Sequence, residues 1–129
     1  MKKNLISQSS EDYLETIYVI QKEKGSVRIK NIANDLQVSL PSVTIAIKKL
    51  STQDLVLYEK YGLVKLTSAG EKIAKDVYKR HVILFEFFTN ILKVDKKTAS
   101  IDACKMEHGL SKKTLDKLIL FLNKMKGGK

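Results

Sequence analysis

Disulfides, membrane spans and secretion signals are all missing from this sequence. A single cysteine, Cys104, excludes an intrachain disulfide framework, and an isolated thiol is typical of a protein kept in a reducing cytoplasm. No segment has the run of about 20 apolar residues that a membrane-spanning helix needs. Lys2 and Lys3 are not followed by the apolar stretch of a signal peptide. We therefore expect a cytoplasmic protein that does not contact a membrane.

Several signatures of enzymes are also absent. The chain has no glycine-rich phosphate loop and no nucleophile motif, and it shows no internal repeat or low-complexity linker. Its apolar content of 43% is that of a globular protein, and 129 residues can form one ordinary domain or two small ones that share a long helix. We expect neither catalysis nor a small organic substrate.

Acidic residues are scarce relative to basic ones. The chain has 14 Asp and Glu against 24 Lys and Arg, a formal charge of +10, which suggests an anionic partner such as nucleic acid. Residues 1–66 carry ten basic and seven acidic side chains, and residues 67–129 carry fourteen and seven. The net charge therefore does not locate a DNA-binding face, because many of the lysines are expected only to solvate helices.

Residues 28–50 predict a helix-turn-helix. The apolar positions with helical spacing are Ile32, Ala33, Leu36, Val43, Ile47 and Leu50. Val38 is expected to fill the turn, and Ser39 to cap the second helix. Pro41 would then lie in the first turn of that helix, where its missing N–H costs little.

The next segment, residues 55–66, predicts two strands joined by a turn at Tyr61 and Gly62, and such a hairpin after a recognition helix makes a winged helix. The N-terminal residues of the recognition helix would meet base edges, and hydroxyls and lysines further along would hold phosphates. The predicted DNA contacts are Arg28, Ser39, Pro41, Ser42, Thr44, Ile45, Lys48, Lys49, Tyr58 and Lys60. Simple solvation of a polar helix face is the alternative, and the turn pattern favours recognition.

The rest of the chain predicts helices. The pair Ser9-Ser10 is expected to cap a first helix that Gly25 ends. A long helix from Thr67 to about Ile91 is apolar around most of its circumference over residues 82–88, which predicts either a dimer interface or the core of a small bundle. A helix from Lys96 and a last one capped by Ser111 would follow.

Candidate metal ligands lie at both ends of the chain. In a helix, Cys104, Glu107 and His108 would project from one face, and a thiol, a carboxylate and an imidazole form a metal-ligand set. Asp12 and Glu15 form a second pair, three residues apart. The alternatives are a surface Glu-His pair beside a buried thiol, and an Asp12 that only complements the helix dipole.

Four motifs in order resemble those of the diphtheria toxin repressor family, which are metal-activated transcription repressors of bacteria and archaea. They are Glu11 to Tyr18, Val38 to Thr44, Arg80-His81, and Met106 to His108 with Leu110-Ser111 behind. The resemblance covers essentially the whole chain. Its layout is similar to that of the two-domain manganese transport regulators, and since it stops at Lys129 we expect no SH3-like third domain.

The resemblance implies a metal between the first helix and a dimerisation domain. Asp12, Glu15, His81, Glu107 and His108 match the ligands of the manganese-sensing branch. Cys104 stands where that branch has glutamate and the iron-sensing branch has cysteine, whereas the iron-sensing branch has methionine at the position of Asp12. The ligand set is therefore a hybrid.

The hybrid ligand set also affects the number of metal ions that we expect per subunit. The iron-sensing branch has an ancillary site whose glutamate and second histidine fall at Phe85 and Ser100 here, so we expect that site to be absent in its usual form. We expect one or two ions of Mn²⁺ or Fe²⁺ per subunit, since carboxylates and imidazoles suit these metals and a thiolate shifts the preference toward Fe²⁺.

The sequence thus predicts a mainly α protein, with a winged helix-turn-helix DNA-binding domain at 1–70 and an all-helical dimerisation and metal-binding domain at 71–129. The predicted function is a homodimeric repressor that binds palindromic double-stranded operators when loaded with Mn²⁺ or Fe²⁺ and controls metal-uptake genes. One alternative is a winged-helix regulator of a non-metal signal, an organic ligand or oxidation at Cys104. Others are a small metalloenzyme and a pure interaction module.

Overall fold

The computed structural model describes residues 6–127, apart from the side chains of residues 60 and 127, so the expectation about a signal peptide falls outside the described residues. The chain divides into two compact units, Met1–Asp76 and Val77–Lys129. The helices and strands are α1 Gln8–Lys24, β1 Val27–Arg28, α2 Ile29–Leu36, α3 Leu40–Thr52, β2 Val56–Tyr58, β3 Leu63–Leu66, α4 Ser68–Glu86, α5 Lys96–Met106 and α6 Lys112–Gly127. The mainly α class is confirmed, and none of the described helices is long and apolar enough to span a membrane.

The division between the units falls within α4, and the predicted boundary after residue 70 remains a prediction. The first unit has a core of apolar side chains from α1, α2, α3, the strands and α4. Its most deeply buried members are Leu14, Ile17, Val27, Ile32, Val43, Ile47, Leu50, Val56, Val64 and Ala74. The apolar positions predicted from helical spacing in residues 28–50 therefore face this core, with Leu36 only partly buried.

Helix α1 begins one turn earlier than the serine pair predicted. Ser7 is the cap, and its Oγ accepts a hydrogen bond from the Ser10 amide at 3.1 Å, so the prediction of Ser9 or Ser10 is wrong. Each of these serines satisfies the chemistry of a cap, and sequence does not rank them. The predicted stop at Gly25 is confirmed, with φ of 86° and its amide bonded to the Gln21 carbonyl.

The helix-turn-helix is confirmed. Gln37 takes the left-handed conformation in the turn, with φ of 59°, and the Ser39 Oγ accepts from the Ser42 amide at 3.2 Å to cap α3. Pro41 lies in the first turn of α3. The prediction that Val38 fills the turn is wrong, because its side chain is 39% exposed. The backbone closes the turn instead, since the Val38 amide donates to the Ala33 carbonyl at 3.1 Å.

The wing, residues 56–66, contains the two predicted strands and gains a third. The antiparallel sheet has the order β1-β3-β2, with Val27 opposite Val64 and Val56 opposite Leu66. Strand β1 has only two residues, too few for an alternating pattern, so the sequence did not predict it. It lies directly before α2 and pairs with strand β3 of the wing.

Close contact with the 54–55 loop fixes the start of α4. The Thr67 Oγ1 accepts from the Gly70 amide at 3.1 Å and donates to the Asp54 carbonyl at 2.7 Å, and the Thr67 amide donates to the Leu55 carbonyl. A Cβ at Gly70 would lie 2.0 Å from the Leu55 oxygen. Glycine is therefore required at this approach.

The described part of the second unit consists of helices joined by short non-helical segments at residues 92–95 and 110–111. A π-helical turn, Phe87–Ile91, follows α4, so the helical path ends where it was predicted, although α4 itself ends at Glu86. Asp95 caps α5 by accepting from the Thr98 amide, and this hydrogen bond lowers the pKa of the Asp95 carboxyl. Ser111 caps α6 as predicted, accepting from the Thr114 amide.

Helix α5 is shorter than the sequence predicted. It ends at Met106, and Glu107–Gly109 form a 3-10 turn. The helical path still ends at Gly109 as predicted, but the prediction that Cys104 and Glu107 share one face is wrong, because Cys104 is exposed and Glu107 is buried. Leu110 then takes an extended conformation, with ψ of 124°, just before the Ser111 cap of α6.

Candidate metal centre and DNA interface

The Glu107 carboxylate lies between the side chains of His81 and His108 in the second unit. Its Oε1 is 2.9 Å from Nδ1 of His81, and its Oε2 is 3.4 Å from Nε2 of His108. Glu107 has no exposed surface, and its Oε2 has no hydrogen-bond partner among the described residues. Because burying a carboxylate is costly unless it is paired and hydrogen-bonded, this oxygen marks a site where positive charge is needed.

Two segments position this group. His81 comes from α4, and its ring stacks on that of Phe85 one turn later, with centroids 6.4 Å apart and planes at 12°. Glu107 and His108 come from the 3-10 turn, where the His108 side chain is only 6% exposed. The imidazoles thus reach the two oxygens of one carboxylate from different elements, an arrangement that sequence spacing did not reveal.

Arg80 holds the 107–109 turn in place. Its Nη1 donates to the carbonyl of Leu110 and, at 3.4 Å, to the carbonyl of Glu107. In the sequence, Arg80 is marked only by the Arg80-His81 motif, which does not indicate this role. Its bonds cross 27 and 30 residues, so no local pattern could have predicted them.

A carboxylate is a hard donor and an imidazole a borderline one, and both suit Mn²⁺ and Fe²⁺. The buried Oε2 without a hydrogen-bond donor fits such an ion, and the group lies wholly within the second unit. Phe85, where the iron-sensing branch has an ancillary glutamate, contributes a ring rather than a carboxylate, and Ser100 is exposed.

The remaining predicted ligands are placed as follows. Asp12 and Glu15 are half-buried on α1 of the first unit, and their spacing projects them from one side of that helix. Cys104 is exposed near the end of α5, in contrast to the buried Glu107.

The predicted DNA contacts lie mostly on exposed surface of the first unit. The exposed ones on or just before α3 are Ser39, Pro41, Ser42, Ile45, Lys48 and Lys49. Thr44 is half-buried, and Tyr58 is 36% exposed at the end of β2. The side chain of Lys60 lies outside the described part of the structure. The arrangement presents hydroxyls at the start of α3 and cations further along it.

Arg28, which is exposed, and Tyr61, which lies in the predicted turn, are joined by a hydrogen bond. The Arg28 Nη1 donates to the Tyr61 carbonyl at 2.6 Å, so part of this guanidinium is engaged within the fold. Tyr61, which was taken only as a turn residue, is 87% exposed. Its signal in the sequence was an aromatic residue directly before the glycine of the turn.

The sequence matches two family profiles that follow each other along the chain. Residues 6–64 match the profile described as iron dependent repressor, N-terminal DNA binding domain, and residues 67–127 match the iron dependent repressor, metal binding and dimerisation domain. The chain belongs to the iron-dependent repressor family. The resemblance inferred from its motifs is confirmed.

Individual relatives agree with this assignment. The chain is 39% identical over 122 residues to an uncharacterized HTH-type transcriptional regulator of Methanocaldococcus jannaschii, an alignment that covers 94% of this chain and 98% of the relative. It is 41% identical over 110 residues to the HTH-type transcriptional regulator MntR of Bacillus subtilis, with coverages of 85% and 77%. The two alignments thus cover 94% and 85% of this chain.

Among solved structures, the manganese regulator SloR matches with a TM-score of 0.78 and 32% identity over 95% of this chain and 55% of its own. A manganese-dependent transcriptional repressor in complex with manganese matches with a TM-score of 0.80 and 29% identity, over 88% and 52%. The chain thus spans about half the length of these solved relatives.

Proposed function

We propose that this protein is a metal-dependent transcriptional repressor that binds palindromic operator DNA as a homodimer when loaded with Mn²⁺ or Fe²⁺, and that it controls metal-uptake genes. The buried Glu107 carboxylate, bracketed by His81 and His108, carries the proposal. A repressor without a metal would have no need to bury an acid whose Oε2 lacks a hydrogen-bond partner.

The proposed ligand set joins this group to the acidic pair of α1. Asp12 and Glu15 would supply two carboxylates to the ion that His81, Glu107 and His108 bind, as the family resemblance implies. A bound divalent cation supplies the positive charge that these acids lack. Without it, carboxylates brought to one site repel each other, so the ligand set does not close. Loading thereby lowers the ordering cost of binding DNA.

Cys104 is proposed as a further ligand that adjusts selectivity. One thiolate among oxygen and imidazole donors favours Fe²⁺ over Mn²⁺, although geometry and cellular availability weigh more than intrinsic affinity. Replacing Cys104 by serine should keep activation by Mn²⁺ and lower the preference for Fe²⁺. A regulator that senses oxidation through this thiol would instead lose its response, and metal would not restore it.

The DNA surface is proposed on α3, with Ser39 and Ser42 near base edges and Lys48 and Lys49 on phosphates. Homodimerisation is supported by exposed apolar side chains of the second unit. They are Tyr78, Val82, Leu92, Ile101, Met106, Leu120, Phe121 and Met125. The match of residues 67–127 to a profile described as a metal binding and dimerisation domain supports the same proposal. A two-fold dimer would present its recognition helices to half-sites roughly 34 Å apart, one turn of DNA.

The test is an anaerobic titration with Mn²⁺ and Fe²⁺ that follows ion stoichiometry and DNA binding in the same samples. The DNA is a duplex selected from a random pool on the manganese-loaded protein. We expect one or two ions per subunit and tighter binding as they load. A protein that binds metal but no duplex at low salt would contradict the proposal. That result would favour the alternative of a pure interaction module.

A further inference from the structure

The tip of the wing, residues 60–62, has an unusual backbone. Tyr61 has φ of 65° and ψ of 21°, the left-handed conformation, and Gly62 follows with φ of 77°. Left-handed backbone is costly for a residue with a Cβ and is rare for bulky ones. Glycine, which adopts it freely, would be the ordinary choice at both positions.

The Tyr61 ring does not offset the cost of this backbone by packing into the first unit, because it is not buried. Tyr61 is 87% exposed, the highest value among the large apolar side chains of the described residues. A strained backbone that displays an aromatic ring to solvent is typical of a functional site, where local rules of stability are broken for binding.

Two hydrogen bonds fix the conformation of the tip. The Arg28 Nη1 donates to the Tyr61 carbonyl at 2.6 Å, and Arg28 itself lies opposite Leu63 in the sheet. The Glu59 amide also donates to the Leu63 carbonyl at 2.8 Å and closes the turn. The left-handed tip is therefore held by hydrogen bonds on both sides of the Tyr61 peptide.

The tip borders an open groove that continues to the recognition helix. Its lining residues include Arg28, Leu40, Thr44, Tyr58, Tyr61 and Gly62. Leu40 and Thr44 belong to α3, so the groove connects the proposed base-reading face with the wing. A duplex seated on α3 is thus the occupant that this groove favours.

We propose that Tyr61 is the DNA contact of the wing, its ring against a deoxyribose and its hydroxyl on a phosphate oxygen, and that Arg28 is a positioning residue. Arg28 acts through the Tyr61 carbonyl rather than on DNA. This inference rests on the proposed DNA-binding function and replaces the sequence-based assignment of Arg28 as a direct contact.

The deciding experiment uses Tyr61→Gly, because a contact role and a structural role predict different results. Glycine relieves the left-handed strain, so the melting temperature stays the same or rises by up to roughly 5 °C. Affinity for the selected duplex falls by about 10-fold, since the ring and hydroxyl are gone. Tyr61→Asn repeats the test with a residue that tolerates the left-handed conformation without the added freedom of glycine.

Salt dependence separates the proposed contact from a charge contact. A tyrosine releases no counterion, so Tyr61→Gly should leave the slope of log affinity against log salt unchanged. Lys48→Ala, the matched control on α3, should reduce the slope by about 1. Tyr61→Phe removes only the hydroxyl and should lose part of the affinity.

A double-mutant cycle tests Arg28. Arg28→Ala alone should weaken DNA binding several-fold and speed amide exchange at residues 59–63, but in the Tyr61→Gly background it should cause no further loss. Arg28→Lys keeps the charge but not the fork of donors, and should resemble the alanine variant. Additive losses with a lower salt slope would mean that Arg28 binds phosphate directly, and would overturn its positioning role.

Unchanged affinity in Tyr61→Gly and Tyr61→Asn would overturn the role of Tyr61. A melting temperature that falls by several degrees together with affinity would also overturn it, since that marks a structural residue. A wild-type protein that binds no duplex is a separate result, because it removes the proposed function itself before any variant is compared.

Discussion

The Nδ1 atom of His81 lies 2.9 Å from Oε1 of Glu107, although 26 residues separate the two in sequence. The pair joins α4 to the turn that follows α5 within the second unit. With His108 at 3.4 Å from the other carboxylate oxygen, it forms a cluster within the second unit that helical spacing in the sequence could not have assembled.

Replacing Glu107 by glutamine should separate metal binding from folding. The amide keeps the shape and removes the charge, so metal affinity should fall at least about 10-fold. Stability of the metal-free protein should stay the same or increase, because a buried carboxylate without full pairing is removed. Calorimetric Mn²⁺ titration and thermal melts measure the two quantities.

The matched control for that variant is Asp116→Asn. Asp116 is an exposed carboxylate on α6 that pairs with Lys112 at 3.0 Å. Its loss should change neither metal affinity nor melting temperature appreciably, since exposed ion pairs contribute little. Equal metal affinity in Glu107→Gln and wild type would contradict the proposed centre.

Arg80→Ala should loosen the turn that bears Glu107 and His108. Its guanidinium donates to the carbonyls of Glu107 and Leu110, so without it amide exchange at residues 107–110 should speed up and metal affinity should fall roughly 10-fold. Lys79→Ala, at an exposed neighbour on α4, is the control and should leave both unchanged. Unaltered exchange in Arg80→Ala would show that the turn is held by other contacts.

The sequence predicted the helix-turn-helix because a serine cap, a proline in the first turn and apolar residues at helical spacing all agree over residues 39–50. It did not predict the end of α5 at Met106, since the 3-10 turn depends on contacts from Arg80, far away in the chain. Local signals find helices and caps. The end of α1 at Gly25 was predicted from a local signal, whereas the end of α5 depends on tertiary hydrogen bonds.

The candidate sites divide in the same way. The residue types for a metal centre were evident in Glu107 and the two histidines, but the burial of the carboxylate and its unpartnered oxygen came only with the structure. In the wing, the turn was evident, whereas the left-handed Tyr61 and its bond to Arg28 were not, because the sequence favours glycine for such a conformation.

Gly70→Ala should destabilise the first unit by about 1–3 kcal/mol, because the added methyl group would lie 2.0 Å from the Leu55 carbonyl oxygen and backbone must shift. Thermal or urea unfolding of the metal-free chain measures this. Gly109→Ala, whose Cβ would meet nothing within 4 Å, is the control and should stay within about 0.5 kcal/mol of wild type. Equal stability of the two variants would contradict the close approach at Gly70.

Asp95→Ala should lower the melting temperature in a pH-dependent way. The hydrogen bond from Thr98 lowers the pKa of the Asp95 carboxyl in the folded protein below its ordinary 3.8. The stabilisation is therefore complete above pH 4 or so and disappears as pH falls through the folded-state pKa. Wild type and variant should differ at pH 7 and converge in acid, whereas Asp102→Ala, an exposed acid within the same helix, should track wild type throughout.

The most direct test of a metal-gated repressor is the affinity for the selected duplex at buffered free Mn²⁺ or Fe²⁺, compared with the same protein in chelator under anaerobic conditions. Binding should tighten at least about 10-fold on metal loading, and the gain should vanish in Glu107→Gln. Equal affinity with chelator and with saturating metal, in a wild-type protein shown to hold the ion, would contradict the proposed function.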